Sequence, residues 1–206
     1  MSKATFISHF CSIENDSMIV DGTEIFRQRD SGFVDFAKAL YKEFDLSYPK
    51  FHKMDGLSKL MFLSAEALSQ KTDFQENMAI VIANRSSSIE IDRKHQETIA
   101  DPNNFYPSPA NFVYTLPNIG IGEISIRHKI QGENAFFVSE KFDAQLLHSY
   151  CESLIQTGKC KQVLCGWADF DHLNAKSFLY LLSRSGPLEH TVENLDYLHA
   201  CNTWKN

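Results

Sequence analysis

The run Met78-Ala79-Ile80-Val81-Ile82-Ala83 is apolar at every position. A strand with one wet face alternates apolar and polar side chains, so a short unbroken run marks a strand covered on both faces. That single element demands layers of chain above and below it. Helices suited to the task lie on either side in the sequence. Phe33, Phe36, Ala37, Leu40, Tyr41 and Phe44 recur at helical spacing and predict an amphipathic helix over residues 32–44. Asp55 is placed to cap a second helix whose apolar side carries Leu57, Leu60, Met61, Ser64, Ala65 and Leu68. Phe142, Leu146, Tyr150 and Leu154, with Leu147, Cys151 and Ile155, form a broad helical stripe that Gly158 closes.

Strands are expected at residues 5–13, followed by an Asp21-Gly22 turn, at Phe136-Phe137-Val138, and at residues 162–167 and 176–183. Residues 84–109 are polar and carry prolines, with a helical turn near residues 89–99. Residues 118–129 leave the period open, because Ile119, Ile121, Ile124 and Ile126 suit either a strand or a glycine-softened helix. Gly186-Pro187 breaks the chain before a weakly amphipathic segment, 188–201. Strands alternating with helices predict an α/β fold, a mainly parallel mixed sheet of about five strands covered by helices on both faces. No linker, repeat or low-complexity tract divides the 206 residues, so one domain over residues 1–206 is expected.

A net charge of −6 and a pI near 5.7, with no long basic run, argue against nucleic acid as the partner. The apolar runs are too short to span a membrane. Met1-Ser2-Lys3-Ala4 lacks the features of a secretory signal, so a cytoplasmic protein is expected. The cysteines at 11, 151, 160, 165 and 201 form no CxxC pair and read as reduced, mostly buried thiols. His9, His95, His128 and His148 share no ligand spacing, and no metal site is expected.

Asn118-Ile119-Gly120-Ile121-Gly122-Glu123-Ile124-Ser125-Ile126, then Gln131-Gly132-Glu133-Asn134, then Val163-Leu164-Cys165-Gly166 follow one another with a telling spacing. The stretch resembles the N-terminal half of a β-ketoacyl-acyl carrier protein synthase, of the thiolase-like superfamily. Phe51-His52-Lys53-Met54-Asp55-Gly56, the strand Ala79-Ile80-Val81-Ile82-Ala83-Asn84 and Phe178-Leu179-Tyr180-Leu181-Leu182 extend the resemblance over residues 4–184. The loop after the central strand, usually glycine-rich in that family, is here Arg85-Ser86-Ser87-Ser88. The resemblance implies a thiolase-like half-fold. It also places Lys141 where the family keeps its acyl-accepting cysteine, nine residues after Gly132 (141 − 132 = 9). The family's two second-half histidines, which stabilise the oxyanion and drive decarboxylation, have no counterpart; His172, His190 and His199 lie in unrelated contexts.

The family's cysteine sits at a helix start, where the dipole favours a thiolate and disfavours a cation. Lys141 is therefore expected to be neutral, to reach solvent or to pair with Glu140 or Asp143, and Ser139 to cap the helix. Attack by a lysine on a thioester ends in a stable amide, a dead end for turnover. Substrate-channel or binding candidates are Asn118, Ser139, Glu140, Lys141 and Phe142. Lys53, Arg85, Arg93, Lys94, Arg127 and Lys129 are candidates for contact with a carrier protein's phosphopantetheine or acidic surface, and Pro107-Ser108-Pro109 for a substrate-side loop. In the family's dimers the strand before the nucleophile pairs across the interface, here Asn134, Ala135, Phe136, Phe137 and Val138. The resemblance implies a non-catalytic, cofactor-free, chain-length-factor-like partner of a ketosynthase in fatty-acid or polyketide biosynthesis of the aryl-polyene type. Two alternatives stay open: a shortened acyltransferase or condensing enzyme with an unfamiliar nucleophile, and a homodimer that binds an acyl chain or carrier protein.

Overall fold

The computed structural model describes residues 4–29, 31–103, 105–171 and 174–204; Met1, Ser2, Lys3 and His172 lie outside the described residues. Strands β1 (Phe6–Glu14), β2 (Ser17–Val20) and β3 (Thr23–Arg27) form an antiparallel meander. Its turns, Asn15-Asp16 and Asp21-Gly22, hold φ values of 52°, 54°, 52° and 81°. Tight hairpins whose twist matches the strands need this left-handed pair, and Asn, Asp and Gly tolerate it best.

Helix α1 (Gly32–Glu43) and, after a 3-10 turn at Pro49–Lys53, helix α2 (Gly56–Ser69) follow. Asp55 caps α2 by accepting from the backbone N–H groups of Leu57 and Ser58 at 3.2 and 3.0 Å. The apolar run becomes β4 (Ala79–Asn84), buried throughout. Helices α3 (Ile89–Glu97) and α4 (Pro109–Tyr114) cross the polar passage, and the ambiguous segment resolves as α5 (Ile119–His128), ended by Lys129 at φ 58°. Then come β5 (Asn134–Val138), α6 (Ala144–Gln156), β6 (Val163–Phe170), β7 (Ala175–Ser183), the short β8 (Leu188–Glu189) and α7 (Val192–Cys201).

The strands lie in the order β3-β2-β1-β7-β6-β4-β5, with β8 beside the first residues of β1. The sheet is mixed and covered on both faces, as expected, but it has eight strands rather than about five. Nor is it mainly parallel: only β4–β5 and β4–β6 pair so, and the other pairings are antiparallel. The sequence reading missed β2 and β3 because β2 offers only the three apolar residues Met18-Ile19-Val20 and β3, nearly all exposed, leaves no apolar run.

Period-two alternation divides the core. Ile80 and Ile82 of β4, with Leu179 and Leu181 of β7, pack under α1, α2 and α5. Ala79, Val81 and Ala83, with Cys165 and Tyr180, face α6 and α7. Helix α2 is buried on every side, sandwiched between sheet and α5, so Glu66 within it needs partners. Arg127 of α5 supplies them, its guanidinium nitrogens 3.0 and 3.3 Å from the carboxylate. Among the described residues no helix is long and apolar enough to cross a membrane.

Candidate functional site

Strand β5 ends the sheet, paired to β4 on one side and with no described strand on the other. The parallel ladder carries on past its end, where Ser139 N–H donates to the Asn84 carbonyl at 2.9 Å. The chain then needs a short connection before α6 begins. Asp143 caps that helix, its carboxylate accepting from Leu146 N–H at 2.9 Å. The expected capping role of Ser139 is corrected: its hydroxyl donates to the Lys141 carbonyl at 3.0 Å. An aspartate caps more effectively here because it also meets the positive end of the helix dipole.

Lys141 consequently stands before the helix, exposed beside the exposed Glu140, and among the described residues it makes no ion pair. Of the outcomes expected for it, Lys141 reaches solvent; Asp143 instead caps the helix.

Glu140, Lys141 and Phe142 line a cleft of about 770 Å³. Its aromatic wall is assembled from distant segments: Phe33 of α1, Trp167 and Phe170 of β6, Phe142, and His199 of α7. Phe142 lies flat against His199, ring centroids 4.1 Å apart and planes 8° apart, and meets Trp167 edge-on at 6.4 Å. Burial pulls the His199 imidazole down to about 4, with Lys176 adding to the effect and Glu14 opposing it. At neutral pH the ring is uncharged, a hydrogen-bonding aromatic surface rather than a cation.

The rim is polar. Arg85, Lys94, Lys141 and Lys176 face Glu14, Asp16, Glu90, Glu140, Asp169 and Asp171. Acids outnumber bases, so the cleft as a whole does not favour a phosphate. Arg85 sits 3.8 Å from both Asp169 and Asp171. Asp169 also gathers the serine loop, accepting from the N–H groups of Arg85 and Ser86 at 3.1 and 2.8 Å. The other basic candidates do not converge: Arg127 is committed to Glu66, Arg93 pairs with Glu90, and Lys53 and Lys129 are exposed and do not line the cleft. Asn118 likewise stays out of it, exposed at the start of α5. No cysteine lines the cleft among the described residues. Cys11, Cys151, Cys160 and Cys165 are buried, as expected, and burial raises the thiols of Cys11, Cys151 and Cys160.

Two groupings escaped the sequence reading. His199 had no local signal, because its partner Phe142 is far away in the chain. His148 and Glu152, one helical turn apart on α6, did carry a spacing signal, and the fold brings His190 to them.

No protein-family profile matches this sequence, and no curated protein does. Solved structures do resemble it. The ishigamide ketosynthase/chain length factor is 15% identical with a TM-score of 0.64, over 87% of this chain and 62% of that one. A ketosynthase (ApeO) in complex with its chain length factor (ApeC) from Xenorhabdus doucetiae is 14% identical, TM-score 0.60, over 96% of this chain and 90% of that one. AntDE:AntF, a type II acyl-carrier protein in complex with its ketosynthase, is 13% identical, TM-score 0.58, over 89% and 63%. The chain thus spans somewhat under two thirds of the first and third matched chains and most of the second. The likeness is one of fold, the thiolase-like fold of ketosynthases and chain length factors.

Proposed function

We propose that this chain is a non-catalytic, chain-length-factor-like partner of a ketosynthase, acting in fatty-acid or polyketide biosynthesis in the cytoplasm. One observation carries the reading. Where the resemblance puts the family's nucleophile, the β5–α6 connection offers an exposed lysine ahead of the helix cap, and among the described residues no thiol lines the cleft around it. A turnover enzyme of this class needs a leaving group that a lysine amide does not provide. The partner joins along β5, whose outer backbone groups would otherwise face water and whose Phe136, Phe137 and Val138 add apolar area. The partner's acyl tunnel is then shaped by contact with this chain, and carrier-protein contact falls chiefly to the partner, because the cleft here carries an acidic excess.

The test is reconstitution. Alone, the purified chain gives no condensation and no decarboxylation; mixed with a cognate ketosynthase and carrier protein, it restores or lengthens the product. An unchanged product profile with and without the chain overturns the proposal. Intact mass after incubation with acyl thioesters distinguishes the enzyme reading, which demands an acyl adduct abolished by Lys141→Ala. The aromatic wall of the cleft favours one further alternative, an acyl-binding homodimer, which predicts saturable binding of a fatty acyl chain by the chain alone.

A further inference from the structure

Away from the cleft, α6 turns His148 and Glu152 toward the segment between β8 and α7, where His190 is fully buried. The two imidazoles stack, centroids 4.8 Å apart, and His190 Nδ1 lies 3.1 Å from Glu152 Oε1. One ligand atom from each of the three residues lies within 4.8 Å of the others. We propose that His148, Glu152 and His190 bind a divalent transition-metal ion of the zinc class.

The donor set is the first argument. Two imidazole nitrogens and a carboxylate oxygen suit zinc, cobalt or nickel, and are poor in oxygen for magnesium or calcium. The outer hydrogen bonds are the second. His148 Nε2–H donates to the His190 carbonyl at 3.0 Å, which fixes its tautomer and leaves Nδ1 with a free lone pair. His190 Nε2 meets the Tyr180 hydroxyl at 3.1 Å. Without an ion, His190 carries its proton on Nδ1 toward Glu152 and accepts from Tyr180. With an ion on Nδ1, the proton resides on Nε2, Tyr180 becomes the acceptor, and its own hydrogen turns to the neighbouring Cys165 sulfur. That is a tautomer change with no net loss of a proton.

Charge is the third argument. Glu152 accepts from Thr5, Gln156 and His190, none of which carries a fixed positive charge. A half-buried carboxylate whose hydrogen-bond partners include no lysine or arginine is offset by a bound cation. Access is open, since the Glu152 side chain is 20% exposed and His148 only partly covered, which leaves a solvent-facing position for water as a further ligand.

The experiment titrates the intact, tag-free, metal-stripped chain with Zn(II) by calorimetry and with Co(II) by visible absorption. Expected are one equivalent bound with micromolar or tighter affinity, cobalt bands of an imidazole-ligated ion, and a rise in melting temperature with zinc. His148→Ala removes a partly exposed ligand and leaves the buried Glu152–His190–Tyr180 chain intact; Glu152→Gln keeps the side chain's shape. Each weakens binding by about 10-fold or more. No saturable binding to the wild-type chain, or binding that both variants retain unchanged, overturns the proposal. These readouts do not involve the ketosynthase partner, so they stand or fall independently of the proposed function.

Discussion

Asp143 and Ser139 lie four positions apart in one loop, and only contact geometry separates their roles. A cap must present an oxygen to the N–H two or three residues on. Asp143 does so toward Leu146, whereas Ser139 precedes the first helical residue, Ala144, by too much chain to reach. Asp143→Ala should lower stability by about 1 kcal/mol in urea unfolding, with Asp143→Asn recovering most of it. Ser139→Ala should stay within about 0.5 kcal/mol of wild type. A larger loss from Ser139→Ala than from Asp143→Ala would reverse the assignment. The sequence offered both residues as polar groups before an apolar stripe, and stripe periodicity does not locate a helix start to better than a few positions. Gly132 was more legible. It belongs to the stretch that carries the resemblance, and a Cβ there would lie 2.0 Å from the Met78 carbonyl oxygen, so only glycine lets the β5 lead-in pass β4.

At the scale of elements, strongly patterned segments were readable and polar or doubly suited ones were not. The β4 run, α1, α2 and the α6 stripe are long and apolar, and their burial follows from pattern alone. The segment that became α5 was ambiguous because isoleucines two, three and five apart serve both periods, and the decision came from tertiary contacts no window contains. Glu66 is one such contact. Burial alone would raise its carboxyl; the nearby His128 and the Arg127 fork outweigh that and hold it low. His128 Nε2 is 3.0 Å away but off the line an N–H bond requires, so Arg127 makes the aligned bonds. Arg127→Ala should therefore cost about 2–3 kcal/mol, just below the usual cost of breaking a fully buried pair because the arginine is partly exposed. Adding Glu66→Gln should recover part of that loss by removing the stranded charge. A double variant as unstable as the sum of its single changes would show that the pair contributes nothing beyond packing. The cleft follows the same logic. Glu140, Lys141 and Phe142 were found because they adjoin one motif, while Phe33, Trp167 and His199 converge only once the sheet is formed.

Acid sensitivity belongs to the whole molecule, because its titrating groups sit in both cores. Glu66 lies in the α1, α2 and α5 layer; Glu152, His190 and His199 lie in the α6 and α7 layer. The two histidines are held below their ordinary value of 6.5 by burial, His199 at about 4. Between the folded and unfolded values the unfolded chain binds the extra protons, so stability rises with pH and is complete only above about pH 6.5. Glu66 and Glu152 are held below 4.5 by the groups around them, so they add stability that is present above that value and lost as pH falls through their folded range. Asp55, raised by burial, works the other way just above 3.8 and offsets part of the loss. The balance predicts a urea midpoint that is level between about pH 7 and 8 and falls steadily from about 6.5 downward. His199→Phe keeps the flat stack on Phe142 and removes the ionisable ring. It should flatten the decline between pH 6.5 and 5 by roughly 1 kcal/mol after allowance for the partly solvated imidazole. A variant whose pH profile parallels wild type over that interval would mean the His199 ring is as well solvated folded as unfolded, and the packing described for the cleft's aromatic wall would be wrong.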